Sequence, residues 1–179
     1  MTVHHPAMSR ALRNTIGDAL HRSVRRNPEK DAILFGERRW TYAELDAAVN
    51  RVAHSLLARG LAKGDRVAFY GRNSDIYVIG WLACTRAGLI HVPINYMLRG
   101  EELLYIVHQS GSRALWYDED LAAWVEAVHD RAGAEIYGSL EELLEAALDP
   151  AGDAGEVAVD VVETDVAQLL YTSGTTAAP

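Results

Sequence analysis

A chain of 179 residues, with 49% hydrophobic and 23% charged side chains, 14 glycines and 5 prolines, is long enough to bury about 70% of its unfolded surface in one core, and its balance excludes a disordered or collagen-like polypeptide. Its 17 basic against 25 acidic side chains leave a formal charge of −8, which excludes the basic field that nucleic acid or an anionic membrane surface demands. The lone cysteine, Cys84, closes no internal disulfide and builds no multi-cysteine metal site, which suits a reducing compartment and makes the cytoplasm the expected location.

The most apolar segment, Val78 to Ile94, is interrupted by Arg86, His91 and Pro93, so no membrane-spanning helix is expected. The first fifteen residues carry His4, His5, Pro6, Arg10 and Arg13 without a continuous apolar run, which argues against a secretory signal; residues 1–14 read as a frayed tail. Thr15 caps a predicted helix running to about Arg26, ended by Asn27-Pro28. Ala32 to Phe35 and Arg38 to Trp40 then read as a hairpin turning at Gly36-Glu37.

Thr41 and Glu44 form a capping box, and Leu45, Val49, Val52, Ala53, Leu56 and Leu57 follow at helical spacing until Gly60. Arg66 to Tyr70 is a short strand. Asn73 or Ser74 caps a helix to about Ala87 with little polar face, which predicts burial. Gly88 stops it, and Leu89 to Val92 is a strand that Pro93, lacking an amide donor, is expected to end.

A helix from about Gly100 to Gln109, a strand over Ala114 to Tyr117 and a helix from Asp118 to about His129 come next. They are followed by a strand near Glu135 to Tyr137 and a helix boxed by Ser139 and Glu142. Asp149 to Gly155 is a surface loop, and the last predicted strand covers about Val166 to Tyr171. Strands separated by helical stretches of this length predict an α/β fold, a largely parallel sheet flanked by helices and joined by right-handed crossovers.

In such sheets ligands bind beyond the carboxyl ends of the strands, which directs attention to the loops after Tyr70, Val92, Tyr117 and Tyr171. After Leu169-Leu170-Tyr171 comes Thr172-Ser173-Gly174-Thr175-Thr176, with four hydroxyls, one glycine and a row of backbone amides able to surround an anionic oxygen. A hydrogen bond to a charged acceptor contributes ~1.5–3 kcal/mol net, so two or three hold a triphosphate if Mg²⁺ takes much of the charge. The stretch lacks the Gly-Lys-Ser/Thr ending of a Walker A loop, and as a bare composition it fits a polar turn better.

The run Tyr171-Thr172-Ser173-Gly174-Thr175-Thr176-Ala177-Ala178-Pro179 closely resembles the phosphate-binding signature of the adenylate-forming, AMP-binding superfamily, which includes acyl-CoA synthetases, luciferases and peptide-synthetase adenylation domains. Earlier segments are similar to that family in order and spacing: Trp40-Thr41-Tyr42-Ala43-Glu44-Leu45, Gly64-Asp65-Arg66-Val67-Ala68, the stretch from Ala87 to Asn95, Glu101 to Ile106 and Asp165 to Leu170. The resemblance covers roughly residues 15–179 and is strongest to fatty acyl-CoA synthetases. Two departures stand out. The family usually has glycine where Ala177 stands, and an alanine forced to positive φ costs ~1–2 kcal/mol, so a slightly different loop shape is expected. The family motif also continues with lysine and glycine after the proline, and its later segments hold adenine and ribose, the acyl group, a Mg²⁺ glutamate and a catalytic lysine. Residues 15–179 are therefore expected to be the N-terminal part of an AMP-binding domain in a longer enzyme, inactive alone.

The resemblance implies a ligase that uses ATP, Mg²⁺ and coenzyme A to convert a carboxylic acid, on this reading a fatty acid, into an acyl-adenylate and then a thioester. In that scheme Thr172, Ser173, Gly174, Thr175 and Thr176 hold the β and γ phosphates, Thr172 approaches Mg²⁺ through its hydroxyl, and no catalytic residue is assigned. Two alternatives stay open: an adenylation enzyme for an aryl or amino acid, and a non-catalytic fragment that binds only a nucleotide phosphate or a partner chain. A parallel sheet cut after one strand leaves an apolar edge, so self-association through that face is expected.

Five other features have bland readings. His91 reads as a structural histidine before an acid or base, Cys84 as a core thiol, and Tyr77 and Trp81 as packing residues. Asp118, Glu119 and Asp120 read as favourable charge at a helix start, and His4 and His5 as tail residues with no zinc site.

Overall fold

The computed structural model describes residues 13–172. Helix α1 (Ile16–Arg26) starts from a reciprocal capping box, in which Thr15 accepts from the Asp18 amide and Asp18 accepts from the Thr15 amide. Strands β1 (Asp31–Phe35) and β2 (Arg38–Thr41) pair antiparallel around a turn in which Gly36 takes φ +57°. Thr41 and Glu44 repeat the capping box at the start of α2 (Tyr42–Ala58), whose Leu45, Ala48, Val49, Val52, Ala53 and Leu56 are buried on one stripe.

The remaining elements alternate. They are β3 (Arg66–Gly71), α3 (Asp75–Arg86) capped by Ser74, β4 (Ile90–Asn95), α4 (Glu101–Ser110) and β5 (Ser112–Tyr117). After a 3₁₀ turn over Glu119–Leu121 come α5 (Ala122–Glu126), α6 (His129–Ala132), β6 (Ile136–Ser139) and α7 (Leu140–Leu148), the last capped by Ser139. The main sheet is four-stranded and parallel throughout, in the order β4-β3-β5-β6.

Because side chains alternate along a strand, β3 feeds two cores. Val67 and Phe69 pack with α1, α2, α3 and α7, while Ala68 and Tyr70 pack with α4, α5 and α6. The result is a helix-sheet-helix sandwich, with both faces of the parallel sheet covered as burial of its backbone requires.

Three expectations are corrected. Strand β4 runs through Pro93 to Asn95, because Val92 and Ile94 face β3 with their polar groups whereas Pro93, in phase with His91, turns its nitrogen to the other side of the strand. Proline therefore costs β4 nothing in the β3 ladder. On its outer side the predicted strand from Val166 to Tyr171 reduces to one parallel bridge, His91 with Gln168. His91 donates to Ala167 O at 3.1 Å and accepts from Leu169 N at 2.9 Å; the next donor along β4 on that side is Pro93, which has none, and the ladder stops. The helix expected from Asp118 to His129 is broken, since Val128 N bonds to Val125 O in a tight turn. Leu121, Val125, Val128 and Ala132 still form one buried stripe, so the periodicity reports burial and not an unbroken hydrogen-bond ladder.

A buried carboxylate joins the hairpin to the sandwich. Asp75, at the first turn of α3, accepts from Arg38 Nε at 2.6 Å, Arg38 Nη2 at 2.7 Å and Trp40 Nε1 at 2.9 Å. Burial alone would raise its pKa, but the bonds from Arg38 and Trp40 outweigh that and hold it below the usual carboxylate value. Arg38→Ala leaves that charge in the interior with one indole donor, and should cost about 2 kcal/mol in urea unfolding of the full-length protein. Close packing makes a second test. A Cβ on Gly138 would lie 1.8 Å from Trp116 Cζ3, so Gly138→Ala should cost about 3 kcal/mol or abolish soluble expression.

Candidate functional site

The carboxyl ends of β3, β4 and β5 meet at one edge, and the chain leaves β3 toward α3 on one face but leaves β4 toward α4 on the other. That divergence opens a crevice between the two loops, the place where parallel sheets receive ligands. Arg72 spans it. Its backbone amide donates to Asp118 Oδ2 at 2.8 Å, its Nη1 donates to Asp120 at 2.7 and 2.9 Å, and its guanidinium lies 5.0 Å over the Tyr96 ring. Gly71 permits this approach, since a Cβ there would stand 2.9 Å from Asp118 Oδ1. The acidic cluster does stand at a helix start, with Asp118 at the N-cap position and Glu119 and Asp120 in the first turn; Asp118 makes no side-chain cap bond, and Asp118 and Asp120 also serve as partners of Arg72.

Arg99 sits across the crevice. Its Nη1 donates to Tyr70 Oη at 2.6 Å, to Leu98 O at 2.7 Å and to Tyr96 O, and its guanidinium stacks 4.9 Å over Trp124. Tyr70 Oη in turn donates to Leu98 O at 2.6 Å, and burial raises its pKa, so it stays a neutral phenol. Among the described residues Arg99 has no carboxylate within ion-pair distance, and its Nε and Nη2 donate to none of them. Arg72 is neutralised by its neighbours and Arg99 is not, which leaves one oriented cation at the mouth of the crevice, suited to an anionic group. Neither arginine was singled out from sequence. Both stand in the loops after β3 and β4, and their position just past strand ends was the available signal.

The hydroxyl-rich loop begins beside the same edge. Residues Asp149 to Asp165 return along α2, held by Asn50 Nδ2 donating to Ala154 O at 2.8 Å and by a Lys63–Asp165 ion pair at 2.7 Å, and deliver the chain to β4. There Leu169 and Tyr171 pack against the α4 side of the sheet, Tyr171 Oη donates to Gln109 Oε1, and Leu170 points out, 69% exposed. Thr172 follows as an exposed residue. Ser173, Gly174, Thr175 and Thr176, with Ala177, lie outside the described residues, as do His4 and His5.

The remaining candidates settle in the interior. Cys84 is fully buried, and burial pushes its thiol well above the usual range, which makes it inert as a nucleophile. Tyr77 packs edge-on to Phe69 at 5.6 Å and Trp81 lies against the core, as their packing roles required. Among the described residues no three His, Cys, Asp or Glu side chains gather as metal ligands, and no helix is long and apolar enough to cross a membrane.

Residues 20–179 match the family model described as AMP-binding enzyme. The chain is 36% identical over 178 residues to a fatty acid–acyl-carrier-protein ligase of Streptomyces coeruleorubidus, covering 99% of this chain and 33% of that protein. It is 33% identical over 165 residues to a 3-hydroxybenzoate–CoA/4-hydroxybenzoate–CoA ligase of Thauera aromatica, covering 84% and 30%. Among solved structures, a fatty acyl CoA synthetase of Mycobacterium tuberculosis superposes with a TM-score of 0.82 at 30% identity, over 89% of this chain and 32% of that one. The chain thus spans about a third of the length of the curated relatives it matches.

His91 gives this edge a pH signature. It is 1% exposed, its ring lies 4.9 Å from Phe69 and 5.6 Å from Tyr77, and burial pushes its pKa down to about 4. The unfolded chain takes up this proton near pH 6.5 and the folded chain only near 4, so stability is full above 6.5 and falls as pH drops through that window, by at most about 3 kcal/mol. Urea unfolding of the full-length protein between pH 7 and pH 4 should show the decline, and His91→Phe should flatten it.

Proposed function

The chain belongs to the AMP-binding enzyme family, and from that premise we propose that it supplies the triphosphate-gripping part of an ATP-dependent acid–thiol ligase. The observation that carries this reading is the placement of Thr172, exposed and next in line after a segment bonded to the outer side of β4, at the edge where the strands of the sheet end. In the reaction an oxygen of the carboxylate attacks the α-phosphorus of ATP, the bond to the pyrophosphate oxygen breaks, and an acyl-adenylate forms. A thiolate then attacks the acyl carbon and AMP leaves. Negative charge moves onto the leaving pyrophosphate, so amides and hydroxyls placed around the β and γ phosphates before the reaction lower the barrier without reorganising.

Thr172, Ser173, Thr175 and Thr176 donate their hydroxyls to those phosphates, and Gly174 lets the backbone come close. By the family resemblance it is Thr172 that would also hold Mg²⁺, through a hydroxyl oxygen of the hard kind that ion takes, and the ion would neutralise phosphate charge. The acid is a fatty or related aliphatic acid on this reading, in keeping with the ligase of 36% identity and the superposed synthetase; the hydroxybenzoate ligase is the reason to test aryl acids beside it. The thiol is that of coenzyme A, or of a carrier protein as in the name of that first relative. The lone cysteine, suited to a reducing compartment, supports a cytoplasmic location for the reaction.

The test is ATP–pyrophosphate exchange by the full-length protein with octanoate, palmitate, 4-hydroxybenzoate, ferulate and an amino acid mixture, each with and without Mg²⁺. Exchange is expected with an aliphatic acid and only with Mg²⁺; silence with every acid overturns the proposal and leaves a binding fragment. Thr172→Ala should lower the exchange rate by about 10- to 100-fold, the worth of one hydrogen bond to a charged acceptor.

A further inference from the structure

We infer that His91 and Gln168 form a positioning pair that sets the register of the last segment on β4 and thereby the place from which Thr172 reaches the triphosphate. The inference rests on the proposed role of Thr172. The segment from Val166 to Thr172 touches the sheet through a single bridge, and both of its backbone bonds are to His91. Pro93 removes the next bond in the same direction. That bridge fixes the main chain of the segment at one point only. A slip by one residue exchanges every side chain between its two sides, which would carry Thr172 to the opposite side and turn Leu169 and Tyr171 out of the α4 core, a loss of burial that already opposes it.

A side-chain bond adds to that specification at the bridge itself. Gln168 Nε2 donates to His91 Nδ1 at 3.0 Å, directly beside the backbone bridge, so the same two residues are joined through main chain and side chain. The acceptor is immobile. The imidazole is held between Phe69 and Tyr77, is almost wholly buried, and stays neutral, which keeps Nδ1 able to accept. Gln168 is only half-buried, and Tyr77, the titratable group facing His91, has its pKa raised by burial and is an uncharged phenol. Register slippage therefore requires breaking a bond to a fixed ring that no other residue of the segment can replace. Gln168 and His91 act through Thr172 and touch no reacting atom.

The experiment compares the full-length wild type with Gln168→Leu and Gln168→Glu. Equilibrium titration with ATP and Mg²⁺ is read beside exchange kinetics for ATP and for whichever acid of the panel exchanges fastest, together with the melting temperature. Gln168→Leu should weaken ATP binding and raise the KM for ATP about tenfold, with the KM for the acid changed less than twofold and the melting temperature nearly unchanged. Gln168→Glu keeps length and accepts from the Nδ1–H tautomer, and should recover ATP binding to within about threefold of wild type. Wild-type behaviour of Gln168→Leu overturns the inference, as does failure of Gln168→Glu to recover, or an equal loss for ATP and acid with a lower melting temperature. A wild type that neither binds ATP nor exchanges removes the proposed function itself, and this pair's role with it.

Discussion

The main sheet and its two helical layers are hung on β3, one of the two strands hydrogen-bonded on both sides. Its backbone polar groups are out of reach of water, so they are satisfied by β4 on one side and β5 on the other, and each of those pairings fixes the height at which a loop leaves the sheet. Its side chains do the same for the layers. Val67 and Phe69 anchor four helices, Ala68 and Tyr70 the other three, and all four residues are fully buried. The crevice at the carboxyl edge is a by-product of this arrangement, because β3 and its neighbour β4 send their connections to opposite faces and leave that end uncovered.

Charge is distributed with the same economy. A chain with an excess of acidic residues keeps Asp75 inside by giving it Arg38 and Trp40, and neutralises Arg72 with Asp118 and Asp120. Arg99 is held by a phenol and two carbonyls, groups that orient a guanidinium without cancelling it. Buried His91 solves the opposite problem. An imidazole in an aromatic box loses its proton, and a neutral ring is the form that can take a bond from an amide.

Local order in the chain was legible where a single interaction decides it. Thr15, Thr41 and Ser139 each announce a helix start because the capping box is made within four residues, and each of the three boxes is formed. The parallel α/β class was legible for a similar reason, since alternating short apolar runs and helical stripes allow few arrangements. Two features misled. Pro93 was read as a terminator, although a proline whose nitrogen faces away from its partner costs no bond; which side it faces depends on the neighbour. The stretch from Asp118 to about His129 was read as one helix because burial repeats every three or four residues whether or not the hydrogen bonds run unbroken.

The sequence by itself determined the class of fold, the caps, the family and the hydroxyl run from Thr172 to Thr176, all of which are encoded in residues close together along the chain. Only the tertiary structure decided that Arg72 and Arg99 face one crevice, that Asp118 at its helix start also serves Arg72, and that Gln168 meets His91 across 77 positions of sequence. These are meetings between segments. They follow from the order of strands in the sheet, which depends on how two apolar faces are covered at once and leaves no periodic mark in the residues that come together.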